Sequence, residues 1–119
     1  MKINLSGHKN NSLEELGFEF PGTIQMDMEK SYQENLVSVT KFLVNLGLQS
    51  NTTVTIALPG MSILASMAIV ALHGITGQFP NIVTLIRNSD GQFVFQEQID
   101  LQALRNDVCR NNRENVVNL

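Results

Sequence analysis

Apolar positions along this chain recur with two different periods, and the changes between them divide it into alternating strands and helices. Residues 2–5 (KINL) are a short apolar-containing run that ends at Ser-Gly-His and predict a first strand. Residues 6–11 (SGHKNN) are turn formers. Ser12 and Glu15 stand at capping-box spacing with Gly17 beyond them, so about one helical turn is expected there. Around Pro21-Gly22 the alternation is poor, and residues 23–26 predict a second strand. Ser31 and Glu34 form another capping box. Behind it Tyr32, Leu36, Val39, Leu43 and Leu46 fall on one helical face, and Gly47 supplies the left-handed stop.

Residues 53–58 (TVTIAL) are β-branched and apolar without clean alternation, the pattern of a strand covered on both faces. Pro59-Gly60 closes that strand, and Ser62 is the expected N-cap of a helix running to about Leu72. This helix is apolar almost all round, so the sheet, a neighbouring helix or another subunit has to cover it. Residues 82–87 (IVTLIR) predict a further strand, Asn88–Gly91 (NSDG) a hairpin turn, and residues 92–96 an antiparallel edge strand. Asp100 then caps a last helix whose Leu101, Leu104 and Val108 share a face. The alternation predicts an α/β sandwich with a mainly parallel sheet and a C-terminal antiparallel hairpin strand. It reads as a single domain over residues 1–110 with a polar tail over 111–119 that frays.

Composition narrows the functional classes. The chain has 119 residues, 43% hydrophobic and 16% charged, which suits one domain with a real core. A formal charge of −3 argues against a surface that tracks duplex nucleic acid through its phosphates. It leaves room for one small anion held by backbone amides. The single Cys109 offers no disulfide framework, suits a reducing cytoplasm, and by default reads as a buried inert thiol. The first ten residues lack a signal-peptide apolar core, and the apolar run 63–72 is too short to span a bilayer. A cytoplasmic location is expected.

The charge distribution is uneven. Between Glu34 and Asp90 the chain has no Asp or Glu, and that interval holds the whole apolar helix. A helix N-terminus carries unpaired N–H groups and partial positive charge, which favour a carboxylate. None is supplied locally. In open parallel sheets ligands bind beyond the carboxyl ends of the strands, where the strand order reverses. If the first and third predicted strands are adjacent, the loop of Ser6, Gly7, His8 and Lys9 meets the turn of Pro59, Gly60, Met61 and Ser62. Arg87 ends the next strand on the same edge. Together they offer a helix end, small residues, two hydroxyls and three basic side chains, a combination that suits a phosphate or phosphodiester.

Each piece also has a plainer reading. Pro-Gly before a helix is ordinarily a turn, Ser62 a cap, His8 a solvated loop residue and Arg87 surface charge. His73 sits at a helix C-terminus, where the dipole favours it structurally, and Gly74 and Gly77 read as turn glycines. Met61 and Met67 read as packing. There is no GxxxxGK[ST], GxGxxG, H-x-x-H or CxxC, so no metal and no cofactor are called for, and carboxylate-pair hydrolysis lacks its carboxylates. His8 is the one candidate proton shuttle.

His73-Gly74, Gly77, Phe79-Pro80, the apolar strand to Arg87 and then Ile99-Asp100-Leu101-Gln102-Ala103-Leu104-Arg105 resemble a small CRISPR-associated family. It is the Csx-fifteen type, an accessory to type III systems. Asn4-Leu5-Ser6-Gly7-His8 resembles that family's first strand and its His, and Leu58-Pro59-Gly60 its central strand-to-helix turn. The likeness covers residues 3–8 and 53–110; it departs at Lys9, where the family tends to have Pro. The resemblance implies a Rossmann-like, CARF-like homodimer in antiviral signalling. It also implies a cyclic oligoadenylate ligand, most of all cyclic tetra-adenylate, either held as by a sponge or cleaved as by a ring nuclease. With no obvious base, the residues themselves favour binding over turnover, any cleavage being slow, metal-independent and assisted by His8. A rival from another class is a protein-interaction module that uses the apolar helix and takes no nucleotide. A further one is ligand-driven head-to-tail assembly in which His73 and the turn after it meet a ligand held by a second molecule.

Overall fold

The computed structural model describes residues 1–113. Its elements in chain order are β1 (Lys2–Asn4), α1 (Asn11–Glu15), α2 (Tyr32–Val44), β2 (Thr55–Ala57), α3 (Ser62–Thr76), β3 (Asn81–Arg87), β4 (Phe93–Asp100) and α4 (Leu101–Leu104). The sheet order is β1-β2-β3-β4. The first three strands are parallel, and β4 pairs antiparallel with β3. This is the predicted α/β architecture, mainly parallel with an antiparallel C-terminal strand.

The second predicted strand is not formed. Residues 23–26 are irregular, and the chain instead touches the outer edge of β1 at one parallel bridge, Ile3 to Glu19. Glu19 N–H donates to the Lys2 carbonyl (3.0 Å) and Asn4 N–H to the Glu19 carbonyl (2.8 Å). Ile24 is buried in the core instead of pairing. That single bridge still has a topological consequence. From β1 the chain steps outward to Glu19, then returns across β1 to build β2 on its other side. The chain thus passes from one side of β1 to the other, while the strand order itself runs β1-β2-β3-β4 without a reversal.

The two layers follow from that path. α2 and α3 cover one face, where Val39, Leu43, Leu64, Met67, Ala68 and Leu72 pack with Ile3, Leu5 and Ile56. α1 covers part of the other, where Leu13 and Phe18 pack with Ala57 and Val83. Strand β2 is buried along its whole length, as its β-branched and apolar run without clean alternation predicts.

Helix ends show which sequence signals governed. The Ser31–Glu34 capping box is formed, and Gly47 takes its left-handed conformation (φ 87°) after the turn that follows α2. At α1 the predicted box is replaced: Asn10 accepts from Leu13 N–H, while Ser12 Oγ accepts from Phe95 N–H (2.8 Å) and so ties α1 to the edge of β4. α3 runs past Leu72 to Thr76, with Gly74 inside it and only Gly77 (φ 84°) as the stop. Asp100 caps α4 as expected, accepting from Ala103 N–H (2.9 Å). The chain then continues through a wide π turn (Arg105–Cys109) and a 3-10 turn (Arg110–Asn112). This stretch buries none of its residues: Leu104 and Val108 are exposed, and so is Cys109, contrary to the buried thiol expected. Of the predicted tail, residues 111–113 carry the helical path on, and 114–119 lie outside the described residues.

Met67 is fully buried between α3 and the sheet, so Met67→Ala should cost roughly 2–5 kcal/mol in urea denaturation. Leu104→Asp, on the uncovered helix, should move stability by no more than about 0.5 kcal/mol in the same measurement.

Candidate functional site

Parallel pairing of β1, β2 and β3 brings their carboxyl ends to one edge. Leu5 N–H donates to the Ala57 carbonyl (3.0 Å), so the chain leaves β1 and β2 from adjacent points. The loop of residues 6–9 and the turn of residues 59–62 begin side by side at that edge.

A residue absent from the sequence-predicted set organises the loop. Asn4 is 2% exposed, and its side chain is fully engaged by the loop that follows it. Its Oδ1 accepts from Ser6 N–H (3.0 Å) and from Ser6 Oγ–H (2.6 Å). Its Nδ2 donates to the His8 carbonyl (2.8 Å). Ser6 Oγ in turn accepts from His8 N–H (3.3 Å), so the Ser6 hydroxyl is consumed within the loop and is not available to a ligand. Gly7 sits at φ 86°, where a side chain is strained, and its carbonyl accepts from Thr23 Oγ1 (3.3 Å). The sequence signal for Asn4 was there: an Asn at a strand end two residues before a Ser is a ready Asx-type turn.

The loop leaves one cation, Lys9, and one imidazole, His8, at the surface. His8 and Lys9 are exposed, and among the described residues neither side chain has a hydrogen-bond or ion-pair partner. The backbone N–H groups of Gly7 and Lys9 have no acceptor either.

The α3 end has the same character. The N-cap is Met61, with no side-chain cap, so Ser62 is the first helical residue rather than the cap. The first helical bond closes from Ala65 N–H to the Met61 carbonyl (2.9 Å), and among the described residues the N–H groups of Ser62, Ile63 and Leu64 have no acceptor. α1, α2 and α4 are each capped, by Asn10, Ser31 and Asp100. Pro59 is buried, whereas Gly60, Met61 and Ser62 are exposed, so Met61 is not core packing. A Cβ built on Gly60 meets nothing within 4 Å, and its φ is not left-handed.

Arg87 stands apart. Ala57 at the end of β2 pairs with Val83, and β3 continues to Arg87, about 13 Å farther along at ~3.3 Å per residue. The guanidinium lies 5.1 Å from the centroid of the Phe93 ring, and Val83 and Leu85 of the same strand side pack with α1's cluster, opposite α3. It reaches the loop only at its far end, where Asn10 Nδ2 donates to the carbonyl of Phe93, the residue paired with Arg87 (2.9 Å). The cradle is thus the β1 loop with the start of α3, and Arg87 is an outlying cation on the hairpin.

At the opposite edge His73 is structurally engaged. Its ring packs on Phe79 (centroids 4.4 Å apart) and its carbonyl accepts from Gly77 N–H (2.8 Å). Among the described residues no group of three or more His, Cys, Asp or Glu could hold a metal ion. None of the described helices is long and apolar enough to cross a membrane.

Comparisons of the chain with protein-family models, with curated proteins and with solved structures find no match in any of the three. Among the described residues the edge offers unpaired backbone donors and Lys9, and the chain carries no carboxylate between Glu34 and Asp90.

Two serines at comparable sequence positions have opposite roles here. Ser31→Ala should destabilise by roughly 0.5–2 kcal/mol through loss of the cap. Ser62→Ala, which removes no cap, should leave the urea midpoint where it is.

Proposed function

We propose that this chain binds a cyclic oligoadenylate, with cyclic tetra-adenylate the preferred ring, and lowers its free concentration in type III CRISPR antiviral signalling. The observation that carries this reading is the uncapped start of α3 beside a loop whose Lys9 and His8 are unpaired. Phosphodiester oxygens are the acceptors such a surface lacks. The ligand-binding set is Ser6, Gly7, His8, Lys9, Pro59, Gly60, Met61, Ser62 and Arg87, in which Ser6 acts through loop geometry and Arg87 through long-range charge. A symmetric ring presents equivalent halves, which suits two copies sharing it as a homodimer. The inferred compartment is the cytoplasm, where an exposed Cys109 stays reduced.

Holding the ligand is favoured over turning it over. Cleavage by the ring's own 2′-hydroxyl forms a bond from that oxygen to phosphorus and expels the 5′-oxygen, giving a linear product with a 2′,3′-cyclic phosphate. It needs alignment and charge stabilisation, which amides and Lys9 can supply, and a proton acceptor, for which exposed His8 is the one candidate nearby. Such a nuclease is slow and metal-independent.

A second reading has its own observation. Ile63 and Val70 on the outer row of α3 are exposed, as are Val37 and Val44 on α2. An interaction module built on that face forms a complex indifferent to nucleotides and tolerates Gly60→Val.

Incubation with cyclic tetra-adenylate in EDTA, followed by separation of the products, should show bound and intact ligand. Linear adenylates that disappear in His8→Ala would instead identify the enzyme, and absence of binding to any cyclic oligoadenylate defeats both forms. Lys9→Ala should weaken binding on the order of tenfold, the size of one lost charge-assisted hydrogen bond. Arg87→Ala should matter less. Gly60→Val has room in the fold, so any loss of affinity it causes reports on the ligand's approach to the backbone.

A further inference from the structure

A sheet ends in two edges, and each presents unpaired N–H and C=O groups that can template another strand. In this molecule one stretch of chain, residues 10–19, bonds both edges. At β1 it does so with backbone: Glu19 N–H donates to the Lys2 carbonyl (3.0 Å), and the Glu19 carbonyl accepts from Asn4 N–H (2.8 Å). At β4 the same pair of bonds is made by side chains. Asn10 Nδ2 donates to the Phe93 carbonyl (2.9 Å), and Ser12 Oγ accepts from Phe95 N–H (2.8 Å). One donor to a carbonyl and one acceptor for the N–H two residues on is what a single residue of a parallel strand gives its neighbour. Glu19 is that residue opposite Ile3. Asn10 and Ser12 stand in for it opposite Val94.

Between these points the segment is held against the sheet face by Leu13 and Phe18, packed with Ala57 and Val83. Lys2 Nζ donates to the Leu16 carbonyl (2.9 Å) and pins the β1 end further. The β4 end is where a guard matters most. Residues 91–96 (GQFVFQ) are six in a row with no charge and no Pro, a composition prone to pair with copies of itself. Farther along β4 the edge is blunted by other means. The register with β3 shifts between Thr84 and Leu85, which leaves Gln96 as an extra residue, and Glu97 and Asp100 bring charge. Among the described residues only Asn10 and Ser12 bond the outer edge of the uncharged stretch.

We propose that Asn10 and Ser12 form an autoinhibitory contact: they occupy a strand-docking edge whose occupant, once they are removed, is β4 of a second copy. The edge of that copy is identical, so the two strands pair antiparallel about a two-fold axis and the assembly closes at a pair. This goes beyond the ligand reading and does not rest on it.

The test uses the full chain. Ser12→Ala removes the acceptor of Phe95 N–H. Asn10→Ser keeps a capping oxygen for α1 but is too short to reach Phe93 as well. In dilute protein Ser12→Ala should speed hydrogen exchange of the Phe95 amide several-fold, the size of one lost hydrogen bond, while Ser12→Thr, which keeps the hydroxyl, exchanges like wild type. With rising concentration the double variant Asn10→Ser, Ser12→Ala should sediment as a species of twice the wild-type mass, and in that species its Phe95 amide should be protected again. A Ser12→Ala protein whose Phe95 amide exchanges at the wild-type rate overturns the proposal. So does a double variant that sediments like wild type at every concentration. New association that leaves the Phe95 amide unprotected overturns it too, because another surface is then pairing. Should the double variant fail to fold, the same two readouts on Ser12→Ala alone decide the matter.

Discussion

Pairing on both sides of β2 is the contact on which the rest of this structure depends. Its three residues are all buried, with β1 and β3 parallel to it on either flank. Ile56 belongs to the core under α2 and α3, and Ala57 to the smaller cluster under α1. One short strand thus joins two hydrophobic clusters. Parallel neighbours cannot be joined by tight turns, so each connection needs a crossover. α2 and α3 are those crossovers, and their packing residues are the bulk of the core. Because Pro59-Gly60 follows β2 so closely, the fold also begins its most apolar helix at the carboxyl edge of the parallel strands.

Much of this was legible because it depends on local pattern. The Ser31–Glu34 box, the β-branched and apolar run of β2, the NSDG hairpin and the Asp100 cap all depend on neighbours within a few residues. The errors have long-range causes. Ser12 had the right spacing for a cap, but it bonds Phe95 N–H, 83 residues away, and Asn10 caps instead. Residues 23–26 looked like a strand, but it is Glu19 that pairs with the edge of β1. Gly74 looked like a stop. A helical Gly costs only about 1 kcal/mol against Ala, and the buried Thr76 beyond it repays continuing the helix.

The same division applies to the site. Three strand ends on one edge follow from alternation and adjacency, which the sequence pattern supports. How far each strand extends does not. The offset that carries Arg87 past the end of β2 is a matter of register, and register is set across the sheet. Asn4 was missed for a related reason: a polar residue alternating in a short strand looks like a solvent-facing one. Asn35 repeats the lesson at 3% exposure, bonding Asp27 N–H and the Asp27 and Ser31 carbonyls to fix the approach to α2. Both buried asparagines do for nearby turns what backbone pairing does elsewhere. They satisfy turn peptides that would otherwise be stranded against the core.

Net charge and local charge pull in opposite directions in this molecule. The chain carries −3 overall, yet its carboxylates fall at or before Glu34 and from Asp90 onward. An anion approaching from a distance meets weak repulsion, screened within a Debye length of about 8 Å at physiological salt. Only inside that length do Lys9, the open amides and the start of α3 dominate. A surface of this kind gains little from steering and everything from short-range fit. Under the proposed function, a compact anion whose charges fit within the edge suits this arrangement better than a long polyanion, which a net charge of −3 disfavours. That is the electrostatic difference between a site for a small phosphodiester ligand and a track for nucleic acid.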